Sequence, residues 1–232
     1  MQLETLQALN KACRELRPVA LVTDLNDGAQ VLYYADSDVS SAPLSNEDKL
    51  LAQQVLILNS SKRFQLDERD LFIQAFNTPL RMIVIGAVHI AQDLISIANQ
   101  CEFRVTLVDP RPVFASETRF PNTNVVDDWP DKALQALNID GRTAVITLSH
   151  DPKLDDPALE IALNSNAFYI GSLGSRRTHT ARLERLEAKG FSAEKQALIR
   201  GPIGLDIGAK STTEIAISIM AEVIQKYRQS SE

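Results

Sequence analysis

The sequence predicts an α/β protein whose larger part is a parallel β-sheet with helices on both faces, preceded by a small α+β domain. After residue 79, strand-like runs alternate with helical periodicity, which is typical of parallel strands joined by crossover helices. The strand-like runs are apolar at successive positions, as expected for strands that are covered on both faces. Eight of the nine glycines follow Thr78. We therefore expect two domains, over residues 1–78 and 79–232.

The first domain contains alternating short elements. Helical spacing of leucines ends before Pro18. An Asn-Asp-Gly turn at 26–28 indicates a β-hairpin. The pattern predicts a helix over 3–16, strands over 19–25 and 30–35, a helix from Ser45 or Asn46 through Leu58, and strands over 63–66 and 71–76.

The second domain alternates strands and helices more regularly. Ser211 and Glu214 have the spacing of a capping box that opens the last helix. The predicted strands are 80–85, 103–108, a short one at 125–126, 143–148 and 168–170, and the predicted helices are 90–101, 154–163, 176–188 and 211–227.

Composition excludes several classes of protein. The chain has 232 residues and a net charge of −6, without the basic excess that nucleic-acid binding requires. No apolar run reaches the ~18 residues of a membrane span, and the first residues do not resemble a secretory signal. The two cysteines, Cys13 and Cys101, form no disulfide framework or zinc motif. We expect a cytoplasmic protein that contacts neither nucleic acid nor membrane.

A glycine turn joins the first strand of the second domain to its helix. The segment Ile85-Gly86-Ala87-Val88-His89 precedes Asp109, which ends the next strand 23 residues after Gly86. This is the layout of a dinucleotide-binding βαβ unit, in which the acid contacts ribose hydroxyls. Val88 stands at the position of the second glycine of such motifs. The sequence leaves open whether the turn binds a nucleotide or belongs to a Rossmann-like sheet that binds none.

A second glycine loop is followed by arginines. Gly171, Gly174 and Ser175 lie between a strand and a helix that starts with Arg176 and Arg177. Two arginines are unfavourable in the first turn of a helix unless they contact an anion. With Arg182 and Arg185 they form a basic cluster where we expect an anion to bind. The alternative is a solvated helix face or ion pairs within the fold.

Histidines and a third glycine-rich loop complete the candidate site. His89 and His150 follow strands of the sheet, where such folds bind ligands, and His150 is a candidate for proton transfer or ligand contact. Their spacing matches no metal-ligand motif, and no metal is predicted. His179, inside a helix, is expected on the surface. Asp206, between Gly204 and Gly208, either orients a ligand or an arginine, or is buried and paired within a packed turn.

Taken in order, these segments resemble the C-terminal Rossmann domain of the XdhC/CoxI family, which are accessory proteins of molybdenum hydroxylases. The resemblance covers residues 80–228. The matching segments are Ile85-Gly86-Ala87-x-His89-Ile90-Ala91, Val108-Asp109-Pro110-Arg111-Pro112, Arg119-Phe120-Pro121, Ser149-His150-Asp151-Pro152-x-Leu154-Asp155, Tyr169-Ile170-Gly171-Ser172-Leu173-Gly174-Ser175-Arg176-Arg177 and Pro202-Ile203-Gly204-Leu205-Asp206-Ile207-Gly208-Ala209.

The resemblance implies a protein that binds the molybdenum cofactor (molybdopterin) and assists its sulfuration or its insertion into an apo-hydroxylase, with a desulfurase as sulfur donor. The cofactor-binding residues would be Gly86, Ala87, Val88, His89, Asp109, Arg111, His150, Gly171, Gly174, Ser175, Arg176, Arg177, Gly204 and Asp206. Neither Cys13 nor Cys101 matches the family cysteine, so no thiol contact to molybdenum is carried over.

Two alternatives follow from the residues alone. The βαβ unit with Asp109 fits an NAD(P)-dependent oxidoreductase, although no hydride-transfer motif is recognisable. The second alternative is a regulatory or scaffold protein that binds a nucleotide. The apolar stripe Ile215, Ile219 and Val223 of the last helix, flanked by Ile217 and Ile224, fits either the core or a dimer interface, and we expect a homodimer.

Overall fold

A computed structural model describes residues 2–66 and 68–229. Its backbone contacts divide the chain between Thr78 and Pro79 into two compact units, each described by itself. The first unit contains two helices and an antiparallel sheet of order β3-β2-β1-β5-β4. Its elements are α1 (Leu3–Arg14), β1 (Val19–Asp24), β2 (Gln30–Tyr34), β3 (Val39–Ser40), α2 (Asn46–Leu58), β4 (Lys62–Leu66) and β5 (Arg69–Phe76).

The central strand β1 is buried on both sides, which explains its unbroken apolar run. Val19 and Leu21 pack in one cluster with residues of α1. Ala20 and Val22, which point the other way, pack in a second cluster with residues of α2. The helices therefore cover opposite faces of this sheet.

The second unit is the predicted parallel sheet with helices on both faces. Its elements are β6 (Arg81–Ile85), α3 (His89–Gln100), β7 (Arg104–Val108), β8 (Asn124–Val126), α4 (Pro130–Ala136), β9 (Thr143–Thr147), α5 (Pro152–Leu163), β10 (Tyr169–Ser172), α6 (Arg176–Ala188), α7 (Ala193–Gln196), β11 (Ile199–Arg200) and α8 (Thr212–Gln229). The sheet order is β11-β10-β9-β6-β7-β8, and every pairing is parallel.

This order is that of the Rossmann fold, and it confirms the predicted fold class. Met82 and Val84 of β6 pack in a core cluster with α3 and α8. Ile83 and Ile85 pack on the opposite face with α4 and α5. The strand order reverses between β6 and β9, so ligands of such folds bind where these two strands end. No helix of the described chain is long and apolar enough to cross a membrane.

Four short elements were not predicted from the sequence, namely β3, α4, α7 and β11. β3 and β11 contain two residues each, too few to show a period. α4 and α7 contain seven and four residues, less than a reliable helical window. All the elements that the sequence predicted are present, and their bounds differ from the predicted ones by a few residues at most.

Candidate functional site

The predicted site residues lie at one edge of the parallel sheet. Because all its strands run in one direction, the segments that follow β6, β7, β9, β10 and β11 leave the sheet at the same edge. These segments, with the end of β10 and the starts of α3 and α6, carry every residue that was predicted to bind a cofactor. The fold therefore places them at the edge where Rossmann folds bind ligands.

The turn after β6 requires glycine at its first position. Gly86 has a φ of +102°, and a Cβ there would lie 2.8 Å from the Cβ of Ser149 and 2.9 Å from its backbone. The segments after β6 and β9 therefore touch at the point where the strand order reverses. Val88 is the N-cap residue of α3, and no side chain caps this helix. The start of α3, with exposed His89, thus offers backbone amides and a positive dipole end to an anion.

Asp109 is held by hydrogen bonds within its own domain. Its Oδ1 accepts from the backbone nitrogen and Nε of Arg111, and its Oδ2 accepts from the nitrogen of Ala87 and Nη2 of Arg111, at 2.7–2.9 Å. Burial of the carboxylate acts to raise its pKa, but the bonds from Arg111 and the two amides hold that pKa below its usual range. The side chain is fully buried and all four acceptor positions are occupied.

Both oxygens of Asp109 are thus engaged within the domain, and its predicted place in the nucleotide-like half of the site stays a prediction. Arg111 covers the carboxylate, while its guanidinium stays partly exposed and lies 4.6 Å from the centre of the Phe114 ring. With Val88 at the second glycine position, this pairing argues against dinucleotide binding in the usual Rossmann pose.

Arg119 holds the segment after β7 against the glycine turn, a role that the sequence did not reveal. Its Nη1 donates to the carbonyl oxygens of Ala87 at 2.9 Å and Phe114 at 2.6 Å. The backbone oxygen of Arg119 accepts from Gln92 of α3. Arg119 lies in one of the segments that resemble the family, and this was the only indication of its importance in the sequence. Its two acceptors are 32 and 5 residues away along the chain, so their identity was not predictable.

A chain of polar contacts links the segments after β9 and β10. Ser149 Oγ donates to Asp155 of α5 at 2.6 Å, and the other Asp155 oxygen lies 3.8 Å from Arg182 Nη2. Arg182 Nη2 also donates to the carbonyl of Leu173 at 3.0 Å. Burial raises the pKa of Asp155, against the opposing effects of Ser149 and the Arg182 charge. His150 is exposed beside this chain in a left-handed conformation, with φ +61°.

The basic cluster after β10 does not form one surface, which corrects the prediction. Arg176 and Arg177 are exposed, and neither forms an ion pair within the described residues. Arg185 binds both oxygens of Asp156, at 2.6 and 2.9 Å. Arg182 is buried inside the fold. In this conformation only Arg176 and Arg177 of the four are exposed to solvent without an ion pair among the described residues.

Ser175 caps α6 as the sequence predicted, since its Oγ accepts from the nitrogen of Thr178. His179 is not a surface residue, which corrects a second expectation. It is half-buried against Gly201, and burial, followed by the charge of Arg182, lowers its pKa.

The glycine-rich segment after β11 is fastened to the body of the domain by Glu222. One oxygen of this α8 residue accepts from the Tyr169 hydroxyl at 2.5 Å and from the Gly204 nitrogen at 2.8 Å. Burial and the Glu222 carboxylate raise the pKa of Tyr169. Asp206 is exposed and has no side-chain partner among the described residues, so the buried, paired alternative is wrong.

The site contains neither a cluster of metal ligands nor a thiol. No group of three histidine, cysteine or carboxylate residues suited to a metal ion occurs in the described part of the chain. Cys101 follows the last residue of α3 and so lies at the opposite edge of the sheet, and Cys13 lies in α1 of the first unit. The uncapped start of α3 and the exposed Arg176 and Arg177 offer donors and positive charge that suit an anionic polar ligand.

Comparisons with known proteins agree with this fold. A family model described as the XdhC Rossmann domain matches residues 82–223. Over 102 residues the chain is 40% identical to the molybdenum cofactor insertion chaperone PaoD of Escherichia coli, covering 44% of this chain and 31% of that protein. Over 157 residues it is 30% identical to a probable xanthine dehydrogenase subunit of Bacillus subtilis, covering 67% of this chain and 46% of that protein.

The chain thus spans less than half the length of these curated relatives. A crystal structure described as a xanthine dehydrogenase from Bacillus halodurans superposes with a TM-score of 0.76, over 97% of this chain and 67% of the other, at 22% identity. At this level of identity the superposition establishes a shared fold.

Proposed function

The chain belongs to the XdhC family, and from this premise we propose that it is an accessory protein for the maturation of molybdenum hydroxylases. It would bind the molybdenum cofactor and assist its sulfuration or its insertion into the apo-enzyme. PaoD, with which it shares 40% identity over the matched residues, is named as an insertion chaperone for this cofactor. We expect it to act in the cytoplasm.

The observation that carries the proposal is the convergence of anion-binding groups at one edge of the sheet. The uncapped start of α3 and the unpaired side chains of Arg176 and Arg177 face solvent at this edge. A pterin with a phosphate group requires hydrogen-bond donors and positive charge, which these groups supply. Gly86, His150, Gly204 and Asp206 lie on the segments at the same edge and would contact the rest of the ligand.

The residues fit the phosphate and pterin parts of the cofactor but offer no thiol to molybdenum. When bound, the cofactor would bring the metal whose terminal sulfur the hydroxylase needs. We propose that the sulfur comes from a separate desulfurase; neither Cys13 nor Cys101 lies on the strand-end segments. The role of this chain would be to hold the cofactor and exclude solvent while sulfur is added.

Exposed apolar side chains near the same edge fit a client enzyme. Val113 is 83% exposed, Phe114 47% and Ile207 54%. Neighbouring exposed apolar groups are typical of protein-binding surfaces, and we propose that Val113 and Phe114, which are adjacent after β7, contact the apo-hydroxylase. The expected homodimer is a separate proposal. Ile219 and Val223 of α8 are buried in the core, whereas Ile217 and Ile224 are exposed and could contact a second copy of the chain. Light scattering of the purified protein tests whether the dimer forms.

The direct test is mass spectrometry of ligand retained by natively purified protein, with restored hydroxylase activity on co-expression as second readout. We expect molybdopterin in the wild-type protein and reduced retention in the Arg176→Gln, Arg177→Gln double variant. Arg104→Gln is the matched control, since Arg104 is an exposed arginine at the opposite edge of the sheet. Absence of molybdopterin together with unchanged hydroxylase activity in a deletion strain would refute the proposal.

A further inference from the structure

Three buried side-chain nitrogens have no hydrogen-bond partner within the described residues, and all three lie on α6. They are Nδ1 of His179 and Nε and Nη1 of Arg182. Residues three apart on a helix share one face, so these two side chains lie on the same side of α6. Buried polar atoms in native proteins are almost always paired, so a local group of unpaired ones indicates a partner from outside the fold, either water or a ligand.

The contacts that Arg182 does make leave these nitrogens free. Its side chain is 2% exposed, and only Nη2 is engaged, by the carbonyl of Leu173 at 3.0 Å and at 3.8 Å by the carboxylate of Asp155. The other oxygen of Asp155 already accepts from Ser149. The next carboxylate along α5, Asp156, is bound by Arg185. No acceptor of the described fold thus serves Nε or Nη1.

Glycines border this face of α6 on two sides. A Cβ at Gly174 would lie 3.7 Å from Arg182 Nη2, and a Cβ at Gly201 would overlap with His179 Nδ1. The segments after β10 and β11 therefore approach the two side chains with bare backbone. Any larger residue at position 201 would displace the imidazole.

The local charge favours an anion. Asp155 offsets the charge of Arg182, and Asp156 offsets that of Arg185. Arg176 and Arg177, between one and two turns earlier on the same helix, have no ion pair within the described residues. The start of α6 therefore carries an excess of positive charge that attracts an oxyanion toward the buried guanidinium.

We propose that the inner face of α6 is a binding site for a phosphate group, in which Arg182 donates Nε–H and Nη1–H to two of its oxygens and His179 Nδ1–H donates to a third. Planar guanidinium groups bind phosphate in this two-pronged manner. Because Arg182 is buried, the segment that contacts its Nη2 through Leu173 and Gly174 must move aside when the phosphate binds. The exposed arginines attract the ligand, and the buried one anchors it. We take molybdopterin to be the molecule that carries this phosphate, and this choice rests on the proposed function.

The test observes the Nε–H resonances of arginine side chains in the ¹⁵N-labelled full chain during titration with inorganic phosphate. We expect a saturable shift of one resonance, assigned to Arg182 by its loss in Arg182→Lys. The Arg185 resonance, fixed by Asp156, is the internal control and should not move. The Arg182→Lys variant should bind phosphate about tenfold more weakly, because lysine offers a point charge in place of the fork.

If Arg182→Lys does not fold, His179→Asn provides the second variant, with the same weakening expected. A free phosphate site and a site for the cofactor's phosphate are separated by repeating the titration with molybdopterin. If the Arg182 resonance moves with neither ligand, the unpaired nitrogens hold water only and the inference is wrong. If phosphate moves that resonance but molybdopterin binds without moving it, the site holds free phosphate, its assignment to the cofactor is wrong and the proposed function stands.

Discussion

Replacing Asp109 by asparagine tests whether the strand-end acid is a structural anchor. The carboxylate accepts two bonds at each oxygen, from two backbone amides and from the guanidinium of Arg111. Asparagine retains one oxygen and places an NH₂ group where two further donors point. Asp109→Asn therefore loses two hydrogen bonds to a buried charged acceptor, and leaves donors facing donors.

The expected magnitude follows from these contacts. A hydrogen bond to a charged group contributes roughly 1.5–3 kcal/mol, so the loss of two lowers the free energy of unfolding by about 4 kcal/mol. Arg111→Ala also removes two bonds, but the carboxylate keeps both backbone amides and gains contact with water. Since Arg111 is 38% exposed, screening reduces its effect to about 1–2 kcal/mol.

Urea unfolding followed by tryptophan fluorescence measures this difference. Trp129 is the single tryptophan of the chain and belongs to the second unit, so its signal reports on the unit that contains Asp109. Asp206→Asn is the control, because that carboxylate is exposed and without a partner in the described chain; its effect should stay within about 0.5 kcal/mol. The reasoning is refuted if Asp109→Asn destabilises no more than Arg111→Ala.

Further predictions concern pH, the glycine turn, the last loop and NADH. The pKa of Asp109 is lowered in the folded state. The free energy of unfolding that this carboxylate contributes is therefore complete above its unfolded pKa of about 3.9 and is lost as pH falls through the lower folded value. In Asp109→Asn, the free energy of unfolding should fall less steeply between these two pKa values than in the wild type. Gly86→Ala should lower the free energy of unfolding by about 2 kcal/mol or more, because its Cβ would overlap with Ser149. The control Gly190→Ala also has a positive φ but has open space around it, and should cost about 1 kcal/mol. Equal effects of the two variants would contradict the contact with the segment after β9. Glu222→Gln should increase proteolysis within residues 201–209, with Glu187→Gln as an exposed control, and unchanged cleavage would argue against its role as a fastener. NADH at millimolar concentration should cause no change in nicotinamide fluorescence, because the acid that would hold its ribose is occupied; saturable binding would overturn that interpretation.

The sequence predicted features that depend on neighbouring residues. The cap at Ser175 and the box of Ser211 and Glu214 occur as expected, with mutual bonds at 2.9 and 3.2 Å in the box. The glycine turn and the acid 23 residues later also occur at the expected positions. Caps, turns and strand periodicity are set by contacts within a few residues, so a linear pattern is sufficient to recognise them.

The roles of the charged residues were not predictable in this way. Four arginines within ten residues of one helix have three different environments in the structure: exposed, buried and bound to Asp156. Arg182 meets Asp155 only because α5 and α6 pack side by side, and these residues are 27 positions apart. A one-dimensional charge count treats all four alike.

The sequence by itself thus determined the Rossmann sheet, the family and the edge at which a ligand would bind, because apolar periodicity and short motifs are local. Tertiary structure decided which polar groups remain available there. It closed Asp109 beneath Arg111, left Asp206 in solvent and buried Arg182 with two unpaired nitrogens. The physical reason is that hydrogen-bond donors and acceptors are paired by packing across elements distant in sequence, and only what this pairing leaves free can bind a ligand.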